Sequence, residues 1–149
     1  MTEVRFYHMT RSSLEAALPQ MLEKTLERGQ KAVVMAGSPA RVEALNDHLW
    51  SYSGESFLPH GSAKDGFAER QPVWLTLEDE RPNAAEVLFL TDGATSDNFE
   101  EFKSCVVLFD GKLAEAVQSA RRQWVGYRDA GHQVTYWQQD EEGRWSQKN

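Results

Sequence analysis

Short apolar runs alternate with helical patterns along most of this chain of 149 residues. The run "KAVVMAG" has the near-continuous apolar character of a strand that is buried on both faces. The segment "SPARVEALNDHLW" follows it, and its Ser38 and Pro39 form a helix-start signal. Strands that alternate with helices form a largely parallel sheet covered by helices. We therefore expect an α/β fold, a single three-layer domain over residues 1–149 with a mostly parallel sheet.

The same patterns predict the other elements. Apolar residues repeat at helical spacing over 13–29. Pro19 belongs near a first turn or at a kink, so we expect the regular part of this helix to begin near it. The last residues, from about 141, predict a polar tail with one tryptophan. The predicted strands cover 4–9, 31–37, 72–77, 86–93, 105–111 and 132–140, and the predicted helices cover 13–29, 38–50 and 112–131.

The composition limits the chemistry of the protein. A net charge of −7 opposes attraction to a phosphate backbone, so we expect no direct binding to nucleic acid. The single cysteine, Cys105, precludes an intramolecular disulfide and a zinc site built on several thiolates. The chain begins without a signal-peptide pattern, and it lacks the run of about 18 apolar residues that a membrane span needs. We therefore expect a cytoplasmic protein that does not cross a membrane.

A small enzyme is the alternative that the residues leave open. Asp92 and Asp110 each end an apolar run and would lie at the carboxyl end of the sheet, where α/β proteins bind ligands. Together they could hold Mg²⁺ for nucleotide binding or phosphoryl transfer, although each also belongs to an Asp-Gly turn, which forms for backbone reasons alone. The G-x-G-x-x-G and P-loop motifs do not occur, and the four histidines lack metal-ligand spacing. We therefore expect no bound cofactor or metal.

The segment "LWSYSGESFLPHG", residues 49–61, is unusually apolar for a connection. Its aromatic residues include Trp50 and Phe57. The stretch from Trp50 to Gln71 is longer than most connections in compact domains, and long loops are commonly functional. Its rings either cap the edge of the sheet or form a binding surface.

The long helix near the C-terminus carries two arginines beside an apolar stripe. Arg121 and Arg128 are seven residues apart and therefore lie on one line along the helix. Both lie at the edge of the stripe, with an indole between them and the core. The arrangement is typical either of a solvated helix face or of a site for an anion. The stripe consists of Leu113, Val117, Ala120, Trp124 and Tyr127.

Three segments resemble the chi subunit family of bacterial DNA polymerase III. They are "LWSYSGESFLPHG", "VVLFDG" before the long helix, and "ARRQWVGYRDAGHQVTYWQ". The resemblance runs in order along essentially the whole chain. It implies an α/β fold similar to nucleotide-binding and helicase domains without their phosphate loops, which agrees with the missing glycine motifs.

The resemblance implies an adaptor and not an enzyme. The family links the clamp-loader complex, through the psi subunit, to the acidic C-terminal tail of single-stranded DNA-binding protein. By this resemblance Trp50 and Phe57 wall an apolar pocket, Arg121 holds the terminal carboxylate, Trp124 adds a ring and Arg128 adds attraction. We expect the first four of these residues to converge on one concave surface.

The chain departs from the family on the same helix. Val117 and Val125 stand where members of the family often carry lysines. The electrostatic part of tail binding is therefore expected to be weaker in this chain.

Overall fold

A computed structural model describes residues 2–51 and 59–148 of the chain. It confirms an α/β fold with one mostly parallel sheet. The helices are α1 (Leu14–Glu27), α2 (Pro39–Ser51) and α3 (Ala114–Asp129). The strands are β1 (Glu3–Met9), β2 (Ala32–Met35), β3 (Gly61–Ser62), β4 (Val73–Thr76), β5 (Val87–Leu90), β6 (Ser104–Asp110), β7 (Gln133–Gln139) and β8 (Trp145–Gln147).

The strand order explains which face of the sheet each helix covers. The order is β3-β4-β2-β5-β6-β1-β7-β8, and β8 is antiparallel to β7 while the other described neighbours are parallel. The connections through α1 and α2 move toward the β3 edge, whereas the connection through α3 moves toward the β8 edge. Crossovers of one hand place oppositely directed connections on opposite faces. Accordingly, α1 and α2 share one face, and α3 lies on the other.

Each face has its own apolar core. Leu18 and Leu22 of α1 pack with Leu45 and Leu49 of α2 on the first face. Ala120 of α3 packs on the second face with strand residues that alternate with those of the first, as a sheet buried on both faces requires. The sheet is therefore the middle layer of three. We call the two surfaces the α1/α2 face and the α3 face.

The regular part of helix α1 begins before Pro19, earlier than the sequence predicts. It begins at Leu14, with Ser13 as its N-cap, and Pro19 lies inside it. Proline has no N–H, so the carbonyl of Glu15 loses its usual helical donor. The Nε2 of His48 on α2 lies 2.6 Å from that carbonyl and donates to it. A contact from another helix thus supplies the bond that proline removes.

Part of the segment predicted as a polar tail forms a short strand. The Asp140 side chain accepts backbone N–H groups from Glu142 and Arg144, both at 2.9 Å, and so closes a tight turn. The chain then runs back as β8. Trp145 reaches the Tyr7 ring in an edge contact, with centroids 5.0 Å apart, on the α1/α2 face. Partial burial of this ring therefore stabilises the pairing of the last segment with β7.

None of the helices within residues 2–51 and 59–148 is both long and apolar enough to span a lipid bilayer.

Candidate functional site

Arg121 and Trp124 lie together on α3 over the strands β1 and β7. Trp124 is half-buried, with its ring 5.9 Å from that of Phe6 and 5.8 Å from that of Tyr136, both in edge contacts. Arg121 precedes Trp124 by three residues, so the two side chains are neighbours on the helix surface. Arg121 is exposed, and it forms no ion pair with any residue of the described chain. Within the described residues, the result is a guanidinium without a carboxylate partner beside an indole that packs against Phe6 and Tyr136.

The sequence analysis missed two residues that belong to this surface, His8 and Tyr136. Their side chains are joined by a hydrogen bond of 2.7 Å between His8 Nδ1 and the tyrosine hydroxyl. His8 lies on the α3 face because Phe6, two residues earlier on the same strand, also points there. Side chains alternate between the two faces of the sheet along β1 and β7, and these two strands pair side by side. The alternation and the pairing together would predict that His8 and Tyr136 are neighbours.

The charge of Arg121 reaches both of these side chains. Burial lowers the pKa of His8, Arg121 lowers it further, and Asp110 opposes them. Burial raises the pKa of Tyr136, while the positive charge of Arg121 acts against this shift. We call the four residues Arg121, Trp124, His8 and Tyr136 the Arg121 surface.

Two other residues in or next to α3 fit their predicted roles less well, one as a cation of the binding surface and one as a member of the apolar stripe. Arg128 is exposed, but its Nε lies 3.5 Å from a carboxylate oxygen of Asp129, so part of its charge is compensated. Leu113, assigned to the apolar stripe, is instead 57% exposed as the N-cap residue of α3. The residues Val117, Ala120, Trp124 and Tyr127 pack toward the core as the stripe predicts.

The expected convergence of Trp50 with Arg121 and Trp124 is wrong. Trp50 lies in α2 on the α1/α2 face, is 51% exposed and contacts the His60 ring at 4.3 Å. Arg121 and Trp124 lie in α3 on the opposite face. The reason is the opposite direction of the two crossovers. Phe57 lies outside the described residues, so its place in a pocket stays a prediction.

A large cleft opens at the carboxyl ends of the strands, between α1 and α3. Its volume is about 1110 Å³, and Asp92 and Asp110 both line it. The Asp92 carboxylate is 3.1 Å from Nε of Arg41, and Asp110 accepts the backbone N–H of Lys112 at 2.9 Å. Each carboxylate thus has a partner within the protein. In the described ranges, no three His, Cys, Asp or Glu side chains gather as metal ligands.

The single cysteine is a core residue. Cys105 is fully buried in β6, and burial raises the pKa of its thiol to about 12. A thiol with that pKa carries almost no thiolate near neutral pH, so it is a poor nucleophile.

Comparison with known proteins identifies the family of this chain. The family described as "DNA polymerase III chi subunit, HolC" matches residues 1–135. The "Probable DNA polymerase III subunit chi" of Rickettsia prowazekii (strain Madrid E) is 31% identical over 117 residues, which cover 74% of this chain and 71% of the relative. The "DNA polymerase III subunit chi" of Pseudomonas aeruginosa (strain PAO1) is 29% identical over 138 residues, 89% of this chain and 93% of the relative. The chain therefore belongs to the family of DNA polymerase III chi subunits, which are accessory subunits of the replication machinery.

Proposed function

We propose that this protein is a non-catalytic adaptor whose Arg121 surface binds the acidic C-terminal tail of single-stranded DNA-binding protein. The observation that carries the proposal is the exposed guanidinium of Arg121, which lacks an ion pair in the described chain and lies beside the half-buried Trp124. A peptide that ends in a hydrophobic residue presents an apolar side chain and a carboxylate close together. The Arg121 surface offers the matching pair of groups.

The chemistry of each group suits one part of such a tail. The planar guanidinium of Arg121 can hold the terminal carboxylate through two parallel hydrogen bonds. The ring of Trp124 provides apolar contact for the last side chain, and its edge contacts with Phe6 and Tyr136 hold it in place. Arg128, although paired with Asp129, lies two turns further along the helix and adds attraction for the preceding carboxylates.

An adaptor needs a second surface, and the α1/α2 face supplies a candidate. Trp50 is 51% exposed at the end of α2, and tryptophan is enriched among residues that dominate protein interfaces. Because the sheet separates Trp50 from Arg121, a partner bound at one does not block the other. We propose that the Trp50 side faces the psi subunit of the clamp-loader complex.

The tail proposal is tested by calorimetry with two acidic peptides that differ only at the C-terminus. One ends in a hydrophobic residue with a free carboxylate, and the other has the same sequence with an amidated end. We expect the free peptide to bind and the amidated peptide to bind at least about tenfold more weakly, because amidation removes the charge that Arg121 recognises. Equal affinities would contradict recognition of the terminal carboxylate.

A further inference from the structure

The Arg121 surface contains a second basic side chain, His8. We propose that His8 is a proton-dependent cation of this surface, so that the surface binds a carboxylate more tightly as the pH falls. The inference rests on the proposed function and adds a mode of regulation to the same site.

The geometry holds the His8 ring at the base of this surface. Its Nδ1 is 2.7 Å from the Tyr136 hydroxyl, and its ring lies 4.9 Å from that of Phe109. On the remaining side, a Cβ at position 111 would collide with the His8 ring, so Gly111 leaves the space that the ring fills. The ring is therefore fixed from three directions. It cannot turn away from Arg121 without losing these contacts.

The hydrogen bond to Tyr136 suits both charge states of His8. In the neutral ring, Nδ1 accepts the tyrosine O–H and Nε2 carries the proton. In the protonated ring, Nδ1 donates to the tyrosine oxygen. Protonation therefore adds one positive charge without breaking this bond.

The charged and titratable groups around His8 determine the sign of the effect. They are Arg121 from α3, Asp110 from the end of β6 and Tyr136 from β7. Burial and Arg121 lower the pKa of His8, so the free protein carries a neutral ring near pH 7. A carboxylate bound to Arg121 compensates the repelling charge and attracts a proton to His8. By linkage, a ligand that raises this pKa binds more tightly as the pH falls through the range between the two values.

The test measures peptide affinity between about pH 5 and pH 8 at constant ionic strength. The aspartates of the peptide stay charged over this range, because their pKa values are about 4. We expect affinity to rise about three- to tenfold toward the acidic end, since one pKa unit corresponds to tenfold in affinity. His8→Gln should make the profile flat. His48→Gln, on the opposite face, is the matched control and should leave the rise in place.

A second measurement does not depend on the fold of the His8 variant. An NMR titration of the His8 ring should show a higher pKa in the peptide complex than in the free protein, and a higher pKa in Arg121→Ala than in the unchanged protein. If the peptide binds through its free carboxylate but neither the His8→Gln profile nor the His8 pKa changes, the inference is wrong and the proposed function stands. If no peptide binds at any pH, both are wrong.

Discussion

Trp50 and Arg121 lie on opposite faces of one mostly parallel sheet, although the resemblance to the chi subunit family implies a common pocket for them. The helix that carries Trp50 belongs to a connection that moves toward the β3 edge. The helix that carries Arg121 belongs to one that moves toward the β8 edge. The proposed adaptor function requires this separation, because partners bound on opposite faces do not exclude each other.

Arg121→Ala should weaken the binding of a free acidic tail peptide by more than about tenfold. Hydrogen bonds to charged groups typically contribute about 1.5 to 3 kcal/mol, and a tenfold change in affinity corresponds to about 1.4 kcal/mol. Arg121→Lys should recover only part of this loss, because an ammonium group keeps the charge but not the planar fork. Titration calorimetry measures both. Arg122→Ala, an exposed neighbour on the same helix, is the matched control, and a loss of equal size there would indicate a general charge effect.

The contact between His48 and the Glu15 carbonyl should be coupled to Pro19. His48→Ala removes the donor at 2.6 Å, and we expect it to lower the free energy of unfolding by about 1 kcal/mol. In a Pro19→Ala background, the amide of residue 19 can restore the helical bond, so the same change should matter less. A double-mutant cycle from urea unfolding measures this coupling. Additive effects would mean that His48 and Pro19 do not act on the same Glu15 carbonyl.

The Cys105 thiol should not react with a water-soluble thiol reagent while the protein is folded. Burial removes access, and a pKa of about 12 leaves almost no thiolate near neutral pH. Labelling monitored by mass spectrometry should become complete only in denaturant. Rapid labelling of the folded protein would show that β6 opens.

The isolated protein should not shift a single-stranded oligonucleotide at physiological salt. Its net charge of −7 repels phosphates, and the cations on α3 are few. A complex of the oligonucleotide with single-stranded DNA-binding protein should instead migrate more slowly when this protein is added. Tight binding of the lone chain to the oligonucleotide would contradict the adaptor proposal.

The sequence predicts the layers of the fold better than it predicts the site. Continuous apolar runs such as "VVLF" indicate buried parallel strands, and the stripe through Ala120 and Trp124 indicates the buried side of α3. Neither pattern reports the strand order. That order determines the face on which each helix lies, and so it separates Trp50 from Arg121.

Tertiary contacts account for the other differences. Pro19 is tolerated inside α1 because His48, on another helix, satisfies the carbonyl that proline leaves. The contact between Trp145 and Tyr7 stabilises the polar last segment as the strand β8. His8 and Tyr136 become neighbours only when β1 and β7 pair. None of these contacts is visible in local periodicity.

The measurement that tests the two-surface account most directly is a crossed binding experiment. Arg121→Ala and Trp50→Ala are each assayed against the acidic tail peptide and against the psi subunit, with folding checked by circular dichroism. The account predicts that Arg121→Ala loses the peptide and keeps psi, whereas Trp50→Ala weakens psi binding and keeps the peptide. Loss of peptide binding in Trp50→Ala, or unchanged peptide affinity in Arg121→Ala, would contradict the assignment of the tail to the α3 face.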